Sequence, residues 1–396
     1  MPTRPLRVAL ISLHTSPLAD AGAGDAGGMN IMVRHGAQAL ADAGHQVVVF
    51  TRRSDPHTPD VQPLARGAVV HHLRAGPAAP ATKEHHEELI GPFAAALAEH
   101  ANGWDVVHSH HWFSGMAAQP LATAHGRPHV QTFHSITAGH NRPLAEGEPA
   151  ESPGRADGER HLAQVSEAVV AVSEAERTTA ITRLGARAEE VHVVPPGVDV
   201  DQFRPIGGQH PPSLVLAARL EPLKGVDLAI RALALVPEDI RPTLHVLGAP
   251  SSAYPGYDEQ LVRLGQRVGV SRWLRFSGAV SRAVLAHSFA AATAVLVPSH
   301  SETFGLTALE AAACGVPVIA SGAGGLSEVV HDEVTGLIVA RRDPRQWADA
   351  ITSLLLDPGY AAALGAAGRR MALSRTWQTT AAGWAGVYRH VLAVRR

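Results

Sequence analysis

Cysteine occurs once, at Cys314, which excludes an intrachain disulfide and leads us to expect a reducing, cytoplasmic setting. An excess of either charge is also missing: 34 basic residues stand against 36 acidic ones, so no bulk field attracts nucleic acid or a membrane surface. Any recognition of charge must be local. No apolar run approaches the roughly 18 residues of a membrane span. The apolar stretch Val8 to Leu13 behind Arg4 and Arg7 ends at His14, and reads as a first strand too short for a signal peptide. Lysine is almost absent, with Lys83 and Lys224 the only two among the 34 basic residues. Against so strong an arginine bias, a retained lysine hints at a place where a compact ammonium is wanted. What remains is 45% hydrophobic and 18% charged over 396 residues, enough for two globular domains.

The most informative stretch runs from Ser299 to Glu310. An apolar strand, Ala294 to Val297, precedes it, and it leads into a helix, Leu306 to Cys314, stopped by Gly315 and Pro317. Strand, loop and helix in that order point free backbone N–H groups at an anion. Gly305, placed where the helix begins, suggests a phosphate approaching the main chain unhindered, a cradle without a Walker lysine. Glu302 and Glu310 bracket it, separated by about two helical turns. Carboxylates beside a phosphate need something else to face, and sugar hydroxyls meet that need, so the ligand suggested is a sugar nucleotide. On spacing alone a plainer reading stays open, with Glu302 a solvated loop residue and Glu310 on a helix surface.

Strands and helices alternate along the whole chain, which implies parallel sheets covered on both faces. In the first half the expected strands are Val8–Leu13, Val47–Thr51, Val69–Leu73, Asp105–His108, His129–Phe133 and Ala168–Val172. A helix is expected from about Lys83 to His100, and a polar loop from Arg142 to Gly158. The Gly27-Gly28 pair between the first strand and its helix allows a ligand close approach, although it lacks the G-x-G-x-x-G spacing of a nicotinamide site. Pro195-Pro196-Gly197 and Ile206 to Pro212 read as the linker. Beyond it, Leu214–Ala218, Thr243–Leu247, Trp273–Ser277, Ala294–Val297 and Val318–Ala320 read as strands, and Trp347 to Val394 as helical. Arg219-x4-Lys224 lies at a strand's carboxyl end, where a guanidinium fork and an ammonium together suit a diphosphate. His108-Ser-His-His-Trp112 invites a zinc reading, but no cysteine or carboxylate at ligand spacing accompanies it. Glu84-His-His-Glu87 reads as a polar helix face.

Glu302, Phe304, Gly305 and Glu310, together with Cys314-Gly-Val-Pro317, Gly324-Gly325 and Arg219-x4-Lys224, resemble the E-x7-E and diphosphate-binding regions of the retaining glycosyltransferases of family 4. The resemblance implies the α/β GT-B fold, two Rossmann-like doubly wound parallel-sheet domains facing a cleft. It places an acceptor domain at 1–205, completed by a crossing helix at about 376–396, and a nucleotide-sugar domain at 206–375. It assigns catalysis to His134, Arg219, Lys224 and Glu302. The donor set is Gly27, Gly28, Arg219, Lys224, Glu302, Phe304, Gly305, Leu306 and Glu310, with Glu302 meeting the sugar, Glu310 the ribose, and His134 facing the sugar across the cleft.

His14-Thr-Ser-Pro17, Asp25 to Asn30, His108 to Gly115 and Arg155-x-x-Gly-Glu159 narrow the resemblance. They are similar to the branch that moves N-acetylglucosamine from its UDP ester onto 1D-myo-inositol 3-phosphate in mycothiol biosynthesis. The acceptor residues then expected are His14, Asp25, Asn30, Lys83, His111, Ser135 and Arg155. His111 and Ser135 stand where that branch has tyrosine and threonine, a departure also suited to relatives that conjugate a sugar to the thiol ergothioneine in antibiotic biosynthesis. The resemblance implies no metal and no cofactor beyond the nucleotide sugar as co-substrate; the partners expected are that donor and a small acceptor, and a homodimer is compatible. The rivals are a sugar-nucleotide epimerase of the same fold and a non-catalytic nucleotide-sugar-binding protein, separable by whether nucleotide release needs an acceptor.

Overall fold

Two runs of alternating strands and helices build two sheets in a computed structural model that describes residues 4–19, 27–81, 83–137, 151–208 and 210–395, with backbone alone at 83 and 84. The first run comprises β1 (Arg7–Ile11), α1 (Gly28–Asp42), β2 (Gln46–Arg52), β3 (Val61–Ala65), β4 (Ala68–Leu73), α2 (Ile90–Ala98), β5 (Val106–His110), α3 (Trp112–Ala124), β6 (His129–Thr132), α4 (Arg155–Val165), β7 (Ala168–Ala171), α5 (Glu174–Leu184) and β8 (Val191–Val193). The second comprises β9 (Ser213–Ala217), α6 (Val226–Leu235), β10 (Thr243–Leu247), α7 (Tyr257–Arg267), β11 (Leu274–Phe276), α8 (Arg282–Ala290), β12 (Ala294–Val297), α9 (Leu306–Ala313), β13 (Val318–Ser321), β14 (Gly336–Val339), α10 (Pro344–Leu356), α11 (Pro358–Ala372) and α12 (Trp377–Val394).

The strand orders are β3-β4-β2-β1-β5-β6-β7-β8 and β11-β10-β9-β12-β13-β14. Among the parallel strands each order reverses direction once, beside β1 and β5 in the first sheet and beside β9 and β12 in the second. Open α/β sheets bind ligands outside the strands' carboxyl ends at such switch points. The loops there carry His14 and His111 on one sheet, and Arg219 to Lys224 and Ser299 to Gly305 on the other.

Some sequence expectations need correction. The first sheet is not wholly parallel, because β3 pairs antiparallel with β4. Its Pro63 has no N–H to give a ladder, which suits an edge strand. The helix expected from Lys83 to His100 splits into a 3-10 turn, Lys83–His86, and α2. Pro92 would fall in the interior of one long helix but is tolerated in the first turn of a new one. His86 is buried, so this turn is not a polar face. The loop expected from Arg142 to Gly158 gives way to α4 at Arg155; its residues 142–150 lie outside the described residues. The C-terminal helical stretch breaks twice, where Asp357 Oδ1 accepts from Tyr360 N–H and Thr376 Oγ1 from Thr379 N–H at helix starts.

The last helix returns to the first sheet. On α12, Trp384 is fully buried against α1, and a Cβ added at Gly36 would lie 2.3 Å from its ring, so only glycine admits the indole there. Tyr388, also on α12, brings its hydroxyl within 2.7 Å of His108 Nδ1 on β5. One apolar cluster runs from Val8 and Val33 through Trp384 and Phe203 to Val297 and Leu309, joining the facing sides of the two sheets. Separate clusters fill the outer faces. Among the described residues, no single helix is long and apolar enough to cross a membrane.

Candidate active site

Where the facing sides part, an open cleft of about 1050 Å³ is lined by Gly27, Gly28 and Ile31 from the first run and by Arg219, Lys224, Glu302 and Glu310 from the second. Among the described residues, nothing lies within 4 Å of where a side chain on Gly27 or Gly28 would begin. On the opposite wall the loops after β9 and β12 are tied together, with His300 N–H donating to Leu223 O at 2.8 Å. Lys224 Nζ lies 2.9 Å from Glu302 Oε2, each side chain about one-fifth exposed. Ser299 Oγ is 3.4 Å from the same carboxylate oxygen. Arg219 Nη2 stands 3.4 Å from Glu221 Oε1.

The turn at Gly324-Gly325 sets the Glu302 loop. Gly325 N–H donates to Glu302 O at 3.0 Å, and a Cβ on Gly324, whose φ is +54°, would sit 2.0 Å from that carbonyl oxygen. The α9 N-terminus has no side-chain cap and no acidic residue in its first turn, leaving its N–H groups for an anion. Gly305 is also demanded by the protein's own packing. Its φ is +100° and a Cβ there would strike Leu326 at 2.6 Å, while Phe304 is buried in the core. Neither lines the cleft, whereas Leu306 and Thr307 do.

Glu310 is not a surface residue. It is buried with Arg282 Nη2 at 2.7 Å from its Oε1; burial raises the carboxyl's pKa and Arg282 opposes that rise. Arg282, Gly248, Thr307 and the pair Ala279-Val280 also line the cleft and were missed from sequence. Gly248 was findable, since it follows β10 at a carboxyl end. Arg282 was not, being one arginine among many.

The first sheet contributes a block of histidines. His108 bonds Tyr388 through Nδ1 and Thr132 through Nε2, and His129 bonds Ser166 and Ser109. His110 Nδ1 lies 2.8 Å from His134 Nε2. Burial holds all four imidazoles below the usual range, His129 to about 3. They are therefore neutral at pH 7. His134 adopts φ +63°, unusual for a non-glycine residue. Buried Glu176 accepts from Val172 N–H at 2.6 Å; burial raises its pKa to about 7, against the pull of that hydrogen bond. His134 does not line the cleft described above.

The residues expected at the acceptor fall into three groups. Arg155 and Ser135 meet, with Arg155 Nη2 donating to Ser135 Oγ at 2.9 Å and to its carbonyl at 3.0 Å. Arg155 also gives Nε–H to Glu159 at 2.7 Å and Nη1–H to Glu151 at 2.8 Å. Burial disfavours its charge, but Glu159 and Glu151 outweigh this and raise its pKa. His14 and His111 meet with ring centroids 4.5 Å apart, beside His86 and Phe113. Asn30 is buried and spent on shape: Oδ1 accepts from Gly27 N–H at 3.1 Å and Nδ2 donates to Ser16 O at 2.7 Å. Asp25 and the Lys83 side chain lie outside the described residues. Among those described, the group of three side chains close enough to hold a metal ion is Glu190, His192 and His390, none of which lines the cleft.

Comparison with known proteins gives the arrangement its family. A family model described as Family 4 Glycosyltransferase in conflict systems matches residues 17–384. The D-inositol 3-phosphate glycosyltransferase of Frankia alni is 40% identical, the match covering 96% of this chain and 98% of that protein. Its namesake from Kineococcus radiotolerans is 39% identical over 98% and 96%. Among solved structures, the sucrose-phosphate synthase of Thermosynechococcus elongatus superposes with a TM-score of 0.88 at 31% identity, covering 98% of this chain and all of that one. Anabaena HepE in complex with UDP-glucose shares the fold at a TM-score of 0.75 and 19% identity, covering 98% of this chain and 99% of its own. With its two parallel-sheet halves in the GT-B arrangement, the chain belongs to the family 4 glycosyltransferases.

Proposed function

We propose that this chain is a retaining glycosyltransferase that moves a sugar from a nucleotide diphosphate, UDP-N-acetylglucosamine being favoured, to a phosphorylated cyclitol of the inositol 3-phosphate kind. The observation that carries this reading is the cleft wall at the second switch point, where Arg219, Lys224 and the uncapped start of α9 converge beside Glu302. In this reading residues 1–205, with the crossing helix, hold the acceptor, and residues 206–375 hold the donor. Arg219 and Lys224 neutralise the diphosphate and steady it as it leaves. Binding redistributes the Lys224–Glu302 pair, the ammonium turning to phosphate and the carboxylate to sugar hydroxyls. Glu310 takes the ribose, and His134 faces the sugar. The leaving phosphate accepts the acceptor's proton on the same face, so no side-chain nucleophile and no cofactor is needed. The likeness to D-inositol 3-phosphate glycosyltransferases over nearly the whole chain supports the choice of acceptor.

A second acceptor class has its own support. Each nitrogen of the Arg155 guanidinium already has an acceptor, and the His14, His86, His111 and Phe113 rings suit a flat heteroaromatic thiol better than a phosphate. Incubating the protein with UDP-N-acetylglucosamine and either inositol 3-phosphate or ergothioneine, with products weighed by mass spectrometry, separates the two. A conjugate with inositol 3-phosphate is the expected result. A conjugate with ergothioneine alone replaces the acceptor, and a changed nucleotide sugar without any acceptor points to an epimerase.

A further inference from the structure

His110 differs from its buried neighbours. His108 and His129 have both ring nitrogens bonded, whereas His110 has Nδ1 against His134 Nε2 at 2.8 Å and a buried Nε2 with no hydrogen-bond partner among the described residues. One proton lies between the two rings, and its owner decides the tautomer of both. If His134 donated it, His110 would carry its own proton on Nε2 as an orphaned buried N–H, an arrangement rarer in folded proteins than an under-used acceptor. If His110 Nδ1 donates, its Nε2 is left with only a bare lone pair, and His134 must carry its proton on Nδ1.

We infer that His110 is a positioning residue that holds His134 as the neutral Nδ1–H tautomer, so that His134 meets the donor sugar as a hydrogen-bond donor and not as a base. The φ of +63° at His134 sets the backbone from which that ring projects. Desolvation keeps both rings neutral, so neither reverts to an imidazolium that would blur the distinction. This inference rests on the proposed role of His134. It also agrees with proton transfer to the leaving phosphate, because an Nδ1–H faces the sugar without a lone pair to take a proton.

The test has two arms. Long-range 1H–15N correlation spectra of histidine-labelled full-length protein at neutral pH, with the His134 signals identified by their loss in His134→Asn, are expected to show Nδ1 protonated and Nε2 bare. Nε2 protonated overturns the inference whether or not any substrate is turned over. The second arm compares His110→Asn, whose amide N–H can reproduce the Nδ1 donor, with His110→Gln and His110→Leu, which do not. With UDP-N-acetylglucosamine and inositol 3-phosphate, kcat is expected to stay within about threefold for the asparagine variant and to fall by about tenfold or more for the other two, with the donor KM little changed. Equal losses in all three reduce His110 to packing and contradict the inference. Absence of turnover in the wild type, with Nδ1 protonated in the spectra, counts against the proposed substrates and leaves the tautomer standing.

Discussion

The two walls that meet at the cleft handle polarity in opposite ways. The second sheet presents charge: Arg219, Lys224 and Glu302 sit on loops past the strand ends, partly hydrated and paired with one another or with neighbours. The first run, which lines the cleft with Gly27, Gly28 and Ile31, carries neutral imidazole within its sheet, with His108, His110 and His129 fully buried in β5 and β6 and His134 just beyond, stripped of charge by desolvation. The difference is one of cost. A diphosphate needs opposing charge, which survives only where water or a counter-charge attends it, whereas buried charge without such company is expensive. A sugar needs hydrogen bonds of fixed direction, which neutral buried rings supply. On the proposed function, partner exchange belongs to one wall and rigidity to the other.

Removing charge from the second wall should have the largest effect. Lys224→Ala or Arg219→Ala is expected to lower turnover by about 10²-fold to 10³-fold while the circular dichroism spectrum stays native, as for one preorganised charge stabiliser. Near-normal rates would take the diphosphate away from this wall. Next comes the turn that sets it. Gly324→Ala adds a Cβ against the Glu302 carbonyl at a left-handed φ, and denaturant unfolding is expected to show a loss of about 1–3 kcal/mol, with kcat reduced as well.

The buried wall should answer to pH. Burial depresses His129 from 6.5 to about 3, so its contribution to stability is complete above pH 6.5 and is lost as pH falls toward 3. Wild type should lose up to about 1.4 kcal/mol per pH unit more than His129→Gln across that window, read from unfolding curves. Glu176 runs the other way. Its pKa is raised from 4.5 to about 7, so the folded protein holds the extra proton and stability falls as pH climbs between those values. Glu176→Gln should flatten that opposing slope; equal slopes in wild type and variant would mean the carboxyl is hydrated. The smallest signal is closure, where saturation with a true donor should shrink the radius of gyration in small-angle scattering, and an unchanged profile would count against a closing cleft.

What was legible in sequence followed from local rules. The loops after β9 and β12 could be read because a buried strand leading to glycine, basic and acidic residues is a local pattern, and the fold class because strand and helix alternate. The strands β3, β8 and β14 escaped notice; all three lie at sheet edges, and polar residues or Pro63 break the apolar pattern of the first two. The packing demand at Gly305 was not legible because its neighbour Leu326 lies about twenty residues on, and sequence does not show what a missing Cβ would touch. Asn30 and Arg155 were singled out from sequence as acceptor residues. Their partners, Ser16 and Gly27 for one and Glu151, Glu159 and Ser135 for the other, became visible only once the chain was folded. The His108–His110 pair was set aside as a metal site for want of a cysteine or carboxylate at ligand spacing, but its partner Tyr388, hundreds of residues away and bonded to His108, could not be read from sequence.

Calorimetric titration of uridine diphosphate and guanosine diphosphate into wild type, Lys224→Ala and His134→Ala tests the division of labour between the walls most directly. Whichever nucleotide binds, Lys224→Ala should weaken it by about tenfold or more, the loss of a charged hydrogen bond, while His134→Ala stays within about twofold of wild type. A nucleotide that binds Lys224→Ala normally and His134→Ala poorly would place the diphosphate on the wrong wall and contradict the account.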